Sequence, residues 1–97
     1  MIVSFNCLDT ETLFLGFAVP RFANIQRVAR RKRLMLHAAN WLATLLVPPG
    51  NRLGALKGNR AGQHSIRINA QCRVCFIWRM DGAHDVEIVD YPPGSPS

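Results

Sequence analysis

The chain has 97 residues, of which 48% are hydrophobic and 19% charged, a composition that excludes fibrous and wholly disordered proteins. This length supplies one hydrophobic core, so a single domain is expected. Twelve Lys and Arg residues against six Asp and Glu residues give a formal net charge of +6. Such an excess favours a polyanionic partner, with nucleic acid ahead of an anionic membrane.

The N-terminal segment lacks the features of a secretory signal. Residues Met1 to Phe5 carry no cationic side chain, and the apolar run from Leu13 to Val19 is short. No stretch approaches the roughly 20 apolar residues that span a bilayer. We therefore expect a soluble cytoplasmic protein with no membrane role.

The cysteines of the chain are Cys7, Cys72 and Cys75, and their odd number suits a reducing compartment. Cys72 and Cys75 have a spacing that metal ligands often use. Residues three apart in a strand point to opposite faces, and no second pair completes a set of four ligands. We therefore expect no metal site and interpret the cysteines as ordinary thiols.

The first predicted elements are a short strand, Ile2 to Asn6, and a short helix that Asp9 or Thr10 caps and that ends near Gly16. From about Asn24 to Val47, apolar residues recur every three or four positions. This period predicts a single helix of about six turns.

The long predicted helix carries two apolar stripes. The first contains Ile25, Val28, Met35, Ala39, Leu42 and Leu46, and the second contains Leu34, Ala38, Trp41 and Leu45. This face is wider than one packing surface needs, so a partner protein is expected to cover part of it. Five cations, Arg27, Arg30, Arg31, Lys32 and Arg33, form either a solvated basic face or a surface that follows phosphates.

After Pro48 the apolar period changes to two. Strands are predicted at Leu53 to Leu56, His64 to Asn69, Arg73 to Trp78 and Asp85 to Asp90. The element order β-α-α-β-β-β-β predicts an α+β fold, in which two N-terminal helices pack on a mainly antiparallel sheet. Residues 92–97 cannot extend a strand, so we expect a disordered tail after a domain of residues 1–91.

Strand alternation predicts which cations share a face of the sheet. If Ile68 pairs with Val74, the apolar residues of both strands lie on one face, and Arg67 and Arg73 lie together on the other.

The next turn brings a carboxylate to the same face. A two-residue loop at Asp81-Gly82 sets Arg73 opposite Asp90, with Tyr91 at the end of the strand. An Arg pair beside a carboxylate and a tyrosine can bind a phosphate, stabilise its developing charge and stack a base. The alternative interpretation is a cross-strand ion pair on a solvated face.

The loop between Leu56 and Gln63 adds Lys57 and Arg60 on a backbone loosened by two glycines. It is a candidate phosphate cradle, although it lacks the spacing of a nucleotide-binding Walker loop. His64 lies next to this loop, either as a structural residue or as a group that moves a proton.

Four segments of the chain form a recognisable pattern: PPGNRL (48–53), LKGNRAGQHSIR (56–67), RVCF (73–76) and VEIVDY (86–91). Together they resemble the HigB family of toxins, including its GraT-like members, within the RelE/ParE superfamily of type II toxin–antitoxin systems. The similarity covers about residues 1–91 and is more specific in the second half.

The resemblance implies a small RelE-type fold and ribosome-dependent cleavage of mRNA in the A site. The implied inhibitor is a HigA-type helix-turn-helix antitoxin, through which the toxin–antitoxin complex binds operator DNA. In the implied mechanism the mRNA 2′-hydroxyl attacks the adjacent phosphate, and no metal or organic cofactor is needed.

Matching by position assigns roles to individual residues. The implied catalytic set is Lys57, Arg73, Asp90 and Tyr91. The predicted RNA-binding set consists of Arg60, Arg67 and, beside the basic loop, His64. Arg73 and Lys57 would stabilise the pentavalent phosphate, Asp90 would orient Arg73 or accept a proton, and Tyr91 would stack on the nucleotide or orient it.

Three positions depart from the family pattern. Pro92 follows Tyr91 where members commonly carry His, Gly54 stands where His or Glu is frequent, and Cys72 replaces a usual tryptophan. One alternative is therefore a homologue that binds its antitoxin but no longer cuts RNA. Another is a ParE-like gyrase poison, against which retention of the catalytic set argues.

Overall fold

In the computed structural model, residues 1–90 are described, and both Tyr91 and the predicted tail at residues 92–97 lie outside the described residues. Two helices come first, α1 (Leu8–Phe14) and α2 (Gln26–Ala38). Four strands follow: β1 (Gly54–Ala55), β2 (His64–Arg67), β3 (Cys72–Arg79) and β4 (Gly82–Asp90). They form one sheet in the order β1-β2-β3-β4, and every neighbouring pair is antiparallel. The predicted α+β class is confirmed.

The core lies between the helices and one face of the sheet. Strand alternation sends Ile66, Val74 and Ile88 to this face, as their period of two predicts. Leu13 of α1 and Leu36 of α2 join them in one buried cluster. The sheet therefore has one face that is committed to packing, and the alternate residues of each strand are directed to the other face.

The predicted first strand pairs with β4 in parallel, but only through isolated bridges, Ile2 with Ala83 and Phe5 with Val86. Asp85 lies between these two contacts with a left-handed backbone, φ 51°. Its N–H donates to the Ser4 hydroxyl oxygen at 2.9 Å. Because this bulge in β4 interrupts the regular ladder, the N-terminal segment cannot pair as a continuous strand.

The helix α1 begins at Leu8, and the predicted caps Asp9 and Thr10 lie inside it. The prediction was wrong because Thr10 is buried and ties the helix to the sheet: its Oγ1 accepts a hydrogen bond from Ile88 N at 2.9 Å. Asp9 forms an ion pair with Arg21 at 2.8 Å.

The prediction of one long helix was also wrong, because α2 ends at Ala38 and Ala39 has extended backbone angles. A helix over all 24 predicted residues would be about 36 Å long, whereas the longest dimension of the molecule is 31 Å. The chain instead turns back through a 3-10 helix at Leu42–Leu46, which buries Leu45 in the core. No helix within residues 1–90 is long and apolar enough to cross a membrane.

Candidate nucleic-acid interface

The face of the sheet that points away from the helices, called the open face below, carries two rows of side chains around Arg73. One row runs across all four strands and contains Gly54, Ser65, Cys75 and Glu87. The next row contains Arg67, Arg73 and Val89. Two guanidinium groups therefore lie side by side on this face, as strand alternation predicted.

Arg67 is the direct cross-strand partner of Arg73. Like charges in this position repel each other, because their Cβ atoms are only about 5 Å apart. The side chains diverge: Arg67 Nε donates to the carbonyl oxygen of Asn69 at 3.2 Å, and Arg73 Nη1 donates to Ser65 Oγ at 3.3 Å. Most of the five N–H groups of each guanidinium remain available to an anion, which would also relieve the repulsion.

The predicted register between these strands was wrong by two residues, since Val74 pairs with Ile66 and not with Ile68. The cause is a wider hairpin loop. The Asn69 side-chain oxygen accepts hydrogen bonds from the backbone N–H groups of Gln71 at 2.8 Å and Cys72 at 2.7 Å, a turn that asparagine favours. A shift of two residues preserves the face to which each side chain points.

The predicted pairing of Arg73 with Asp90 was wrong as well. Arg73 lies opposite Val89, and Asp90 lies opposite Cys72, so Arg73 and Asp90 point to opposite faces of the sheet. The bulge in β4 shifts the register by one residue, which changes the face of every later side chain.

The position of the hairpin turn also differs from the prediction. Arg79 pairs with Gly82, so the turn is Met80-Asp81 and Gly82 belongs to the strand. Gly82 has φ 131°, and any side chain there would collide with the carbonyl group of Met1. Glycine is needed here because the backbone of Met1 approaches that of β4 closely, and not because the residue forms the turn.

Asp90 lines a cavity of about 260 Å³ on the helix side of the sheet, together with Cys72, Arg21 and Phe22. Burial, and then the negative charge of Asp90, raise the pKa of the Cys72 thiol. Cys72 and Cys75 lie on opposite faces of β3, as predicted.

The loop between β1 and β2 folds over the open face. Arg60 Nη1 lies 2.8 Å from Glu87 Oε1 and 3.1 Å from Gln63 Oε1. The strands β1 and β4 are three strand spacings apart, about 14 Å, so the loop must cross the sheet to make this contact. On its way it covers Ser65 and Cys75, which are 1% and 0% exposed. Arg60 thus reaches the open face as the partner of a carboxylate.

Two other predicted residues lie at the edge of this arrangement. Lys57 is exposed where the loop leaves β1. His64 does not join the cations, because it pairs with Phe76 and its ring stacks on that core residue with centroids 6.4 Å apart. Its side chain therefore lies on the helix side of the sheet.

Arg52 was not predicted as a site residue, although it lies in the segment PPGNRL (48–53) that resembles the family. Arg52 and Arg73 line a cavity of about 240 Å³ between β1 and the open face. The preceding residue, Asn51, is fully buried, and its side chain holds the loop through hydrogen bonds. Asn51 Nδ2 donates to the Leu45 carbonyl oxygen at 3.1 Å, and Asn51 Oδ1 accepts from Lys32 Nζ at 2.6 Å.

The predicted basic cluster on the helix is not one surface. Lys32 is buried, and burial, together with the positive charges of Arg31 and Arg67, lowers its pKa. Arg30 donates to the carbonyl oxygen of Phe17 at 3.2 Å. These two cations therefore serve the packing of the domain.

Part of the predicted apolar stripe is solvent-exposed. Trp41 is 74% exposed and Leu34 is 60% exposed, whereas Leu45 belongs to the core. Trp41, Trp78 and Met80 line a groove of about 550 Å³ at the far end of β3 from Arg73.

Comparison with known proteins shows the family of the chain. Residues 20–92 match the family described as the RelE-like toxin of the type II toxin–antitoxin system HigB. The chain belongs to this family. The predicted resemblance is thereby confirmed, and type II toxins of this kind have an antitoxin partner.

One similar protein is Toxin HigB-1 of Vibrio cholerae serotype O1 (strain ATCC 39315 / El Tor Inaba N16961). It is 43% identical to this HigB-like chain over 60 residues, which are 62% of the chain and 62% of the Vibrio toxin. The match therefore spans less than two thirds of the length of that relative.

Proposed function

We propose that this HigB-like chain is a cytoplasmic endoribonuclease that cuts mRNA on the ribosome and is neutralised by a HigA-type antitoxin. The observation that carries the proposal is the direct opposition of Arg67 and Arg73 on the open face. An anion would stabilise two cations in this position, and the backbone of RNA supplies one at every nucleotide. Membership of the HigB family supplies the reaction class.

In the proposed reaction the mRNA 2′-oxygen bonds to the adjacent phosphorus while the bond to the 5′-oxygen breaks. The 2′-hydroxyl gives up its proton, and the leaving 5′-oxygen takes one up. Arg73 stabilises the negative charge on the pentavalent phosphate, because a guanidinium offers two parallel N–H groups to phosphate oxygens. The hydrogen bond to Ser65 fixes the direction of that guanidinium before the substrate binds.

The other residues of the predicted site take the following roles in the proposal. Arg67 binds the backbone beside Arg73, and Lys57 brings a second cation to the scissile phosphate from the loop edge. Asp90 faces the opposite way from Arg73, so it does not orient that guanidinium, and the proton of the 2′-hydroxyl passes to water. Tyr91 stacks on the nucleotide, as the family resemblance implies.

Ribosome dependence is part of the proposal, because the open face lacks a strong general base within residues 1–90. Glu87 is engaged by Arg60, and the ring of His64 lies on the other side of the sheet. The ribosome can supply the missing rate enhancement by holding the mRNA in an in-line geometry.

The test is single-turnover cleavage of a defined mRNA, either programmed on ribosomes or free in solution, with ends mapped by primer extension. We expect one dominant cut in the A-site codon on ribosomes. Cleavage of free RNA at an equal rate would contradict ribosome dependence, and absence of any cut on ribosomes would contradict the nuclease.

For the antitoxin we propose docking on the exposed apolar surface around Trp41, Trp78 and Met80. Large exposed apolar patches commonly mark protein interfaces, and this one lies at the opposite end of β3 from Arg73. The HigA-type antitoxin would hold operator DNA through its own helix-turn-helix. Operator DNA bound by the complex and not by this chain alone would support this arrangement.

A second candidate is a homologue that binds its antitoxin but no longer cuts RNA. The separation of Asp90 from Arg73 favours it, as does Pro92 in the place of a family histidine. The same cleavage assay separates the two candidates, because only the nuclease produces new mRNA ends.

A further inference from the structure

A cavity of about 240 Å³ opens beside Arg73 at the edge of the sheet. Its polar lining comes from Arg52, Ser65 and Arg73, and its other lining residues are Leu53, Gly54, Ala55 and Leu56. Two arginines thus border one small space, and within residues 1–90 no carboxylate-bearing residue lines it. Charged groups beside such apolar walls interact more strongly than they do in bulk water.

The position of Arg52 is fixed by its backbone. Its angles are φ 46° and ψ 51°, a left-handed conformation that costs energy for a residue with a side chain. The conformation follows a 3-10 turn at Pro49–Asn51, and the buried Asn51 bonds to Leu45 and Lys32 hold that turn. The packing of the domain therefore fixes the position and direction of the Arg52 Cα–Cβ bond.

No structural role accounts for the Arg52 guanidinium. The side chain is exposed, and within residues 1–90 it forms neither an ion pair nor a side-chain hydrogen bond. Left-handed residues other than glycine concentrate at binding and catalytic sites. Arg52 therefore has a backbone held in place by the fold, a guanidinium without a partner in residues 1–90, and Arg73 as its neighbour across the cavity.

We propose that Arg52 binds the RNA phosphate next to the one held by Arg73, so that the RNA backbone crosses β1 through this cavity. The proposal rests on the proposed function only for the class of ligand, a phosphodiester chain. Arg73 holds the scissile phosphate, and Arg52 holds the adjacent phosphate in register. Arg52 is thus a substrate-binding residue that fixes which linkage reaches Arg73.

The experiment measures binding and not cleavage. The probe is a labelled RNA hexanucleotide with 2′-O-methyl groups, which cannot be cut because the attacking hydroxyl is blocked. Fluorescence anisotropy gives its affinity across a series of salt concentrations for the wild type and for Arg52→Asn, since asparagine tolerates the left-handed backbone. The matched control, Arg79→Asn, also removes one positive charge but lies about 20 Å along β3 from Arg73.

We expect Arg52→Asn to weaken binding about tenfold, as loss of a charge-assisted bond does. The slope of log affinity against log salt should become shallower by about 0.7, the value for one phosphate contact on a single strand. Arg79→Asn should keep the wild-type slope, and Arg52→Lys should keep the slope with intermediate affinity. Arg52→Gly, which suits the left-handed backbone, replaces the asparagine variant if melting shows that the latter is unfolded.

A series of hexanucleotides, each with one neutral methylphosphonate linkage, identifies the phosphates. The affinity of the wild type should fall when the neutral linkage occupies either of two neighbouring positions. The affinity of Arg52→Asn should be unaffected at one of these positions, and that of Arg73→Ala should be unaffected at the other. Equal affinities of Arg52→Asn and Arg79→Asn would overturn the inference, as would loss of sensitivity at the same linkage in both Arg52 and Arg73 variants. Wild-type protein that shows this pattern yet leaves ribosome-bound mRNA intact would overturn the nuclease proposal alone.

Discussion

Arg73 donates a hydrogen bond from Nη1 to the hydroxyl oxygen of Ser65 at 3.3 Å. Ser65 is 1% exposed, so its own side chain has little freedom and can hold the guanidinium in a fixed direction. That direction is toward the cavity that both residues line with Arg52. A buried hydroxyl on a neighbouring strand thus determines where the charge of Arg73 is presented.

Replacing Ser65 should change the direction of the Arg73 guanidinium while its charge is kept, so the two contributions to cleavage can be measured separately. Ser65→Ala is expected to reduce the maximal single-turnover cleavage rate on programmed ribosomes about tenfold, because a misdirected guanidinium stabilises the transition state less well. The unfolding free energy should fall by only about 1 kcal/mol, the net value of one hydrogen bond. Ser65→Thr keeps the hydroxyl and should recover most of the rate; an alanine variant that cuts at the wild-type rate would show that Arg73 needs no such partner.

Removal of Arg73 itself should have the larger effect. Arg73→Ala is expected to lower cleavage roughly 100-fold, by analogy with the loss of one preorganised donor from a transition-state site. Arg73→Lys should recover little, since a point charge does not reproduce the planar fork. Thermal melting should not fall, because the change also removes repulsion with Arg67. A protein that melts many degrees lower but cuts normally would make Arg73 a structural residue.

The position of Asp90 predicts a change in thiol chemistry. Burial first, and the Asp90 charge second, raise the pKa of Cys72, so Asp90→Asn should lower that pKa and increase the thiolate fraction at pH 8. The measurement is the rate of alkylation by iodoacetamide in a Cys7→Ala background, with the buried Cys75 left in place. We expect a severalfold faster reaction of Cys72.

The control for this measurement is Asp81→Asn, which removes the same charge at the exposed far turn of the hairpin. It should leave the Cys72 rate unchanged. If Asp90→Asn also has no effect, Asp90 does not face Cys72, and the register that separates it from Arg73 is wrong.

Antitoxin binding should depend on the exposed apolar surface and not on the whole predicted stripe. Trp41→Ser with Met80→Ser is expected to weaken affinity for the antitoxin at least tenfold, because large aromatic anchors dominate interfaces, while the melting temperature stays unchanged because both side chains are exposed. Leu45→Gln should instead unfold the domain, since Leu45 is 1% exposed. Calorimetric titration with the antitoxin checks the first variant. The matched control is Leu8→Ser on α1, which is equally exposed but distant, and a similar loss there would contradict a specific groove.

Periodicity in the sequence predicts the layers of this fold and part of its site. Ile66, Val74 and Ile88 lie in the core, and Arg67 and Arg73 share a face, because alternation depends only on the parity of residue numbers. The face of Asp90 was wrong because Asp85 adds one residue to its strand, which reverses that parity.

The errors in the helices and loops have a different cause. The local sequence gives only weak stop signals for α2, His37 in its last turn and Asn40 after its C-cap, and no Gly or Pro follows directly. The helix ends because Ala39 and Leu45 are buried only if the chain turns back. Arg52 was missed for a related reason, since its position depends on a hydrogen bond between Asn51 and Lys32, 19 residues apart in the sequence.

The strand β1 is only two residues long, and one of them is Gly54. Its outer edge offers a passing strand almost no row of N–H and C=O groups to pair with. Self-association through edge-to-edge pairing is therefore disfavoured on this side, and so is capture by a partner that extends the sheet. An inhibitor that approaches this side must bind through side chains, which is the kind of contact that a cavity bordered by two arginines provides.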